Sequence, residues 1–326
     1  MSGLRALVDI YVAYNPKTVS YNHMDTDFIL NQMETVAEPF ALCQLHGNGE
    51  LGLDKTPSAT LHYVLAGRGE IILPGQKPIE LQKGSLILIP ALSGHVIRSF
   101  GKPGDPLPVC RPAELNLANF IDGDEGQQEE QLIAICSRVS LSLRSLHNLI
   151  DLVRVPIVQN VNDESFLALP IQAILHELAA PGPGSMAMIR TLLLACTIDM
   201  LRQRLATGDE SLRWMSALRD TGLWTALQHM LDAPGEDHSL ESLATVSGMS
   251  RSTFAKRFAD AYGSGPMELL RDLRMQRAAA NLIETDIPVK RIAEMSGFRS
   301  RSAFTRAFEA TTGASPQAFR INSRAK

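Results

Sequence analysis

The chain has 326 residues, 31 Lys+Arg against 35 Asp+Glu, four Cys, 45% hydrophobic and 20% charged residues. That is apolar material for about two domain-sized cores, which excludes a disordered, collagenous or disulfide-framed small protein. The apolar run Ser85 to Val96 is broken by Pro90, Gly94 and His95 and is too short for a bilayer, Met1 to Asp9 lacks an export pattern, and four irregularly spaced Cys then predict reduced thiols in a cytoplasm, with no membrane partner.

From about Thr35 to Arg111 the pattern predicts strands and turns. Ala59 to Leu65, Glu70 to Leu73, Ile79 to Leu81 and Ser85 to Ile89 are short and apolar-rich. Gly67-Arg68-Gly69, Pro74-Gly75 and Lys83-Gly84 separate them and supply the backbone freedom of tight turns. Such spacing predicts a small barrel or jelly roll. The acidic stretch Asp122 to Glu130 has little to bury and reads as a loop, and Leu132 to Val139 reads as a returning strand.

Helical periodicity takes over near Ser165, and Pro181-Gly182-Pro183-Gly184 divides two helices. The second, about Ser185 to Ala206, is apolar around most of its circumference, which suits burial within its own domain or additionally against a second subunit. After Leu212 helices are predicted at Leu223 to Leu231, Ser239 to Val246, Ser250 to Tyr262, Pro266 to Glu284, Pro288 to Met295, Ser300 to Thr311 and Pro316 to Ile321. Ser239, Ser250, Ser300 and Ser315 stand at N-cap positions, and Pro266, Pro288 and Pro316 in first turns.

The net charge of -4 is unevenly spread. Residues 1–212 hold 15 Lys+Arg and 23 Asp+Glu, net -8, whereas residues 213–326 hold 16 and 12, net +4. From Ser239 onward the balance is 14 to 8. A basic segment on an acidic partner favours a polyanion-binding module.

An internal repeat lies in that basic segment. Leu243-Ala244 and Ser247-Gly248-Met249 return 49 residues later as Ile292-Ala293 and Ser296-Gly297-Phe298. Arg251, Ser252, Phe254, Phe258, Gly263 and Pro266 return 50 residues later as Arg301, Ser302, Phe304, Phe308, Gly313 and Pro316. Each copy reads as a short helix, a Gly-containing turn and a second helix, the helix-turn-helix pattern. Phe254 with Phe258 and Phe304 with Phe308 are i,i+4 pairs that must face inward. Ser252 and Lys256, and Ser302 and Arg306, then point outward, and short donors with long cations suit base edges and phosphates of double-stranded DNA. The long helix Met267 to Glu284 is expected to space the two units near one turn of DNA.

In Ile292-Ala293 to Ser296-Gly297-Phe298, Ser302-Ala303-Phe304, Arg306-Ala307-Phe308, Gly313 and Ser315-Pro316, residues 213–320 resemble the DNA-binding domain of the AraC/XylS family of bacterial transcription regulators. The resemblance implies sequence-specific DNA binding and, most often, activation through RNA polymerase. By position it assigns Ser252, Ala255 and Lys256 of the first unit and Arg301, Ser302 and Arg306 of the second to the bases, with Arg251, Arg299, Ser300 and Thr305 beside them. Ala255 is small and apolar where relatives often have a polar residue, which limits it to a thymine methyl or nothing.

The front half, about Val36 to Ala206, resembles the cupin sensor domain of one subgroup of that family, which includes a reactive-chlorine-responsive activator. The matching residues are Leu61-His62-Tyr63-Val64-Leu65 with Gly67 and Gly69, Lys83 to Pro90 with His95, Cys136, and Pro183-Gly184-Ser185. Cupins commonly bind a metal through two or three His and a carboxylate. Here Val64 occupies the i+2 position after His62 and only Glu70 follows, so no catalytic residue, resident metal or cofactor is expected. His46, His62 and His95 are candidates to converge at the barrel mouth as hydrogen-bonding groups or ligands. Among the thiols, Cys196 reads as core. Cys136 is the oxidation-sensing candidate, with Cys43 or Cys110 as partner and Arg111 or Arg138 to lower its pKa. A small organic effector in the barrel is the competing signal.

The expected architecture is α+β and multidomain: a cupin-like β-barrel sensor at 1–160, a helical dimerisation region at 161–212, and an all-α domain of two helix-turn-helix units joined by a long helix at 213–326. The expected function is a cytoplasmic transcription regulator that is not an enzyme. The alternative is a cupin-type metal enzyme with an appended helical module.

Overall fold

The computed structural model describes residues 33–37, 40–100, 108–112, 131–143, 153–209 and 220–324, with the isolated positions 30, 212 and 214. The loop expected at Asp122 to Glu130 lies outside these residues.

The strands are β1 (Met33–Ala37), β2 (Ala41–His46), β3 (Glu50–Leu53), β4 (Ala59–Ala66), β5 (Arg68–Ile72), β6 (Ile79–Gln82), β7 (Ser85–Ile89), β8 (His95–Ser99), β9 (Val109–Pro112), β10 (Gln131–Leu143) and β11 (Ile157–Asn160). One sheet has the order β11-β7-β4-β10-β2-β9, with β1 also paired to β10, and the other the order β3-β8-β5-β6. The returning strand is longer than expected, because β10 pairs in turn with β2, β4 and β1 and forms the middle of the larger sheet.

Side-chain alternation explains how this sheet divides two cores. On β10, Leu132, Ala134 and Cys136 point between the sheets, while Ile133 and Ile135 point out toward helices. Strand β7 is buried on both faces, with Ile87 and Ile89 inside and Leu86 and Leu88 outside, which is why it reads as a continuous apolar run. The turn glycines are required by close approach as much as by conformation. Gly67 has φ +84° and a Cβ there would stand 1.8 Å from the Gln131 carbonyl oxygen. Gly84 has φ +85°, and a Cβ on it would stand 2.2 Å from the Val161 carbonyl oxygen.

The helices are α1 (Ala168–Ala179), α2 (Ser185–Ala206), α3 (Thr221–Asp232), α4 (Leu240–Val246), α5 (Arg251–Tyr262), α6 (Pro266–Glu284), α7 (Val289–Met295), α8 (Arg301–Thr312) and α9 (Pro316–Arg324). Helix α2 buries Ile189, Leu193, Cys196 and Met200, a 3.6-residue stripe, against the outer face of the larger sheet and α1. Its flanking Leu192, Leu194 and Ile198 pack on the same cluster, so its own chain absorbs most of the apolar circumference; Met188 is exposed.

Helix starts follow their capping residues. The side chain of Ser239 accepts from the Ser242 amide in a reciprocal capping box, Ser250 from Thr253 and Ser300 from Ala303. Ser315 accepts from the Ala318 amide at 3.2 Å, and Pro266 opens α6 at its first position. Pro288 differs from expectation: it is the N-cap of α7 rather than a first-turn residue, its extended ψ of 142° placing it just outside the helix.

Candidate nucleic-acid interface and sensor core

Units α4–α5 and α7–α8 each close on a pair of phenylalanines in tilted contact. Phe254 and Phe258 have ring centroids 5.4 Å apart, Phe304 and Phe308 5.6 Å, and all four are fully buried. Each contributes about 1.5–3 kcal/mol by burial, which locks the rotation of its helix and so decides which residues face out. Gly248 (φ +67°) and Gly297 (φ +75°) turn the chain between the two helices of each unit in the left-handed region.

On the outward face of α5, Arg251, Ser252 and Lys256 are exposed and Ala255 is half-buried. On α8, Arg301, Ser302 and Arg306 are exposed and Thr305 is half-buried, with Arg299 and Ser300 exposed just before the helix. Among the described residues Arg251, Lys256, Arg301 and Arg306 carry no ion pair. The neighbouring Arg257 is instead held by Asp220, which also caps α3 through the Gly222 and Leu223 amides. Arg299 stands 3.8 Å from Asp237.

Sequence reasoning missed the arginines that hold this domain together. Arg320 donates to the Leu282 and Ile287 carbonyls, and Arg324 to the Ile283 and Thr285 carbonyls and to Asp286, so two guanidiniums cap the end of α6. Arg274, within α6, donates to the Pro234 and Glu236 carbonyls at 2.7 Å each. Arginines spaced along amphipathic helices look like solvated cations until the chain that folds over them is placed.

In the sensor, the sheets enclose a packed interior of Cys43, Leu45, Val64, Ile71, Ile87 and Ile97 with their neighbours. Three sequence candidates meet there. His62 Nδ1 lies 2.9 Å from Cys136 Sγ, His62 Nε2 lies 2.8 Å from His95 Nε2, and His95 Nδ1 lies 3.0 Å from the Ser93 carbonyl oxygen. The carbonyl only accepts, so His95 Nδ1 carries hydrogen. With both rings neutral, His95 Nε2 then accepts from His62 Nε2, and His62 Nδ1 accepts from the Cys136 thiol. The tautomers are thereby assigned along one directed chain. Burial keeps both rings neutral: it pulls His62 well below the usual histidine range, helped by the adjacent His95, and it pulls His95 down against the opposing effect of the Ser93 carbonyl.

His46 does not join His62 and His95; it lies at the far end of β2, opposite Gln131, where its carbonyl closes the turn to Gly49. Cys43 and Cys110 are not free thiols but a disulfide between directly opposed residues of β2 and β9, which removes both as partners for Cys136. The Cys136 pKa is not lowered as expected; burial pushes it up to about 12. Cys196 is core as expected, and its thiol is also pushed up to about 12 by burial and then by Asp199. Among the described residues no three His, Cys, Asp or Glu side chains gather as a metal site, and the two ring nitrogens of His62 point to different partners.

The rim of the sensor touches the second unit. Leu92, the one described non-glycine residue with positive φ (55°), packs against the cluster that holds Phe304 and Phe308. The Lys55 ammonium donates to the Thr311 carbonyl, and Arg154 pairs with Asp272 of α6. The histidine chain thus ends at Ser93, one residue from the side chain that meets the second unit.

Comparison with known proteins finds a match in each half of the chain. A family model described as a helix-turn-helix domain matches residues 243–322, and one described as cupin matches residues 28–206. The RCS-specific HTH-type transcriptional activator RclR of Escherichia coli (strain K12) is 26% identical over 278 residues, covering 84% of this chain and 87% of that one. A putative AraC-like transcription regulator of Streptomyces lividans is 28% identical over 300 residues, covering 90% and 96%. The fold is shared with the unsaturated fatty acid-bound structure of ToxT from Vibrio cholerae, at 12% identity and a TM-score of 0.50 over 88% of this chain and 95% of that one. These similarities favour the regulator over the metal-enzyme alternative.

Proposed function

The chain belongs to the AraC/XylS family of transcription regulators that carry an N-terminal cupin domain, and on that premise we propose how this DNA-binding regulator reads its operator and its signal. Helices α5 and α8 enter successive major grooves, Ser252 and Lys256 reading through the first and Arg301, Ser302 and Arg306 through the second, with Arg251, Arg299, Ser300 and Thr305 against the backbone. Ala255 contributes at most a thymine-methyl contact. The supporting observation is the duplicated outward face: four cations without ion pairs among the described residues, at equivalent places on helices whose rotation is locked by buried phenylalanine pairs.

The sensor transmits its state through the rim at Leu92 and Lys55, and the chain activates transcription by contacting RNA polymerase. The redox-active element is the Cys43–Cys110 pair rather than Cys136, because a disulfide across neighbouring strands in a regulator of cytoplasmic DNA is the kind that opens and closes with the thiol pool. Exposed Phe166, Leu169 and Met188 on and before α1 and α2 supply the homodimer contact. The protein carries out no enzymatic reaction.

Footprinting with the purified full chain tests the reading. Two protected segments about one helical turn apart, both weakened by Arg306→Ala and by raised salt, support it. Salt-insensitive or absent protection contradicts it.

A further inference from the structure

Two hydrophobic clusters divide helix α6 between them. Leu269, Leu270 and Leu273 belong to the cluster containing Phe254 and Phe258. Met275, Ala278, Ala279 and Leu282 belong to the cluster containing Phe304 and Phe308. The residue between the two sets is Arg274, half-buried. Each unit therefore grips its own half of α6, and among the described residues apolar packing relates one unit to the other through the stiffness of that helix and, at longer range, through the N-terminal domain, which shares a cluster with the first unit and touches the second at Leu92. Stiffness alone is a weak constraint at this distance. If the reading helices sit about one DNA turn apart, a rocking of about 10° at one grip displaces the far helix by roughly 6 Å, nearly two base-pair steps.

A direct tie exists, and it is polar. The connection 233–239 that leads into the first unit runs past the turn of the second. Gly235 is pressed on that turn so closely that a Cβ would stand 1.9 Å from the Met295 carbonyl oxygen. Arg274 holds the arrangement from below, its Nε donating to Pro234 and its Nη2 to Glu236, both in the connection. The same guanidinium lies against Gly297 of the second unit's turn, where a Cβ would stand 2.8 Å from Nη2 and 2.8 Å from the Gly235 oxygen. At the exposed edge Asp237 faces Arg299 at 3.8 Å. Three segments distant in sequence thus converge on one planar fork. A lysine at this place donates from one tetrahedral nitrogen and has no flat face to set against a glycine backbone.

We infer that Arg274, which lies on neither reading helix, is the positioning residue that sets the separation and relative rotation of α5 and α8, and so selects operators by the distance between their two half-sites. The inference rests on DNA reading by both units.

Selection of bound sites from a random double-stranded pool, with the full-length protein, tests it. Wild type should enrich two motifs at one separation, and one base pair inserted between them should weaken binding on the order of tenfold, comparable to one mismatched base pair. Arg274→Ala should enrich the same two motifs at scattered separations, with the insertion penalty reduced to under about threefold. Its salt slope should not change, because no phosphate contact is removed. Arg274→Lys should fall between. Gly235→Ala keeps the arginine and both phenylalanine cores but drives the connection off the turn, and should likewise shift or scatter the separation; it decides alone if Arg274→Ala fails to fold. Variants that retain the single separation and the full insertion penalty would overturn the inference. A wild-type pool that enriches one motif or none would overturn the two-unit reading, and the inference with it.

Discussion

His62 and His95 meet Nε2 to Nε2 at 2.8 Å across the two sheets of the sensor, an arrangement that holds together only while a single proton lies between those nitrogens. A second proton would set two N–H groups against each other with no solvent between.

The sign of the pH dependence follows. Both rings have folded pKa values below their ordinary value of 6.5, so below that pH the unfolded chain binds protons that the folded chain refuses. Stability is complete above about 6.5 and declines as the pH falls below it. His62→Gln removes one titrating group, and its thermal midpoint should fall less steeply than that of wild type between roughly pH 6.5 and 5.

Thiol labelling separates Cys136 from an exposed cysteine. With its thiol held up at about 12, Cys136 should react with iodoacetamide at pH 8 on the order of a thousandfold more slowly than the unfolded chain does. Mass spectrometry of the native and denatured protein reads the difference, and rapid native labelling would contradict the buried Cys136–His62 contact.

The disulfide closes a separation of 67 residues between β2 and β9. Reduction should destabilise the sensor by about 2–4 kcal/mol in denaturant melts. Cys110→Ser should lower stability similarly and make it indifferent to dithiothreitol; a variant that still responds to reductant would place the effect elsewhere.

Arg306→Ala and Lys256→Ala should each weaken operator binding, by about 1–3 kcal/mol where the side chain reads a base edge. A phosphate contact announces itself differently, by lowering the slope of log affinity against log salt by about 0.9. Titrations at several salt concentrations assign each cation to one role. Arg257→Ala should have a smaller effect, because Asp220 already engages that side chain.

Phe308→Ala should destabilise the second unit by about 3–5 kcal/mol, since the ring is fully buried between Phe304 and Phe319. Ser300→Ala, which removes one cap bond, should have an effect of about 1 kcal/mol. Chemical denaturation followed by helical ellipticity measures both.

The helical half was legible because its determinants are local. Ser239, Ser250 and Ser300 cap within three residues, the phenylalanine pairs lie four apart, and a 49- to 50-residue repeat exposes its own boundaries. Strand pairing depends on partners dozens of residues away. Nothing in the spacing of Cys43 and Cys110 announces that β2 and β9 are neighbours in register, and the sequence reading accordingly paired the wrong thiols. The meeting of His62, His95 and Cys136 needs both a β4–β10 register and two sheets face to face. Arg274 was passed over because a cation in a basic helix looks solvated until the folded connection covers it.

The phenylalanines of the first unit share one continuous cluster with the outer face of the larger sheet and with α1 and α2, whereas those of the second unit lie in a separate cluster that the N-terminal domain touches through Leu92. Cooperative opening therefore does not follow the border between strands and helices. Once the contacts of Leu92, Lys55 and Arg274 give way, the far half of α6 with α7, α8 and α9 should detach as a block and its amide protons exchange together, while the first unit should keep its protection until β4, β7 and β10 lose theirs. Mild warming should then leave a molecule whose sheets and first unit are intact while its second unit is open.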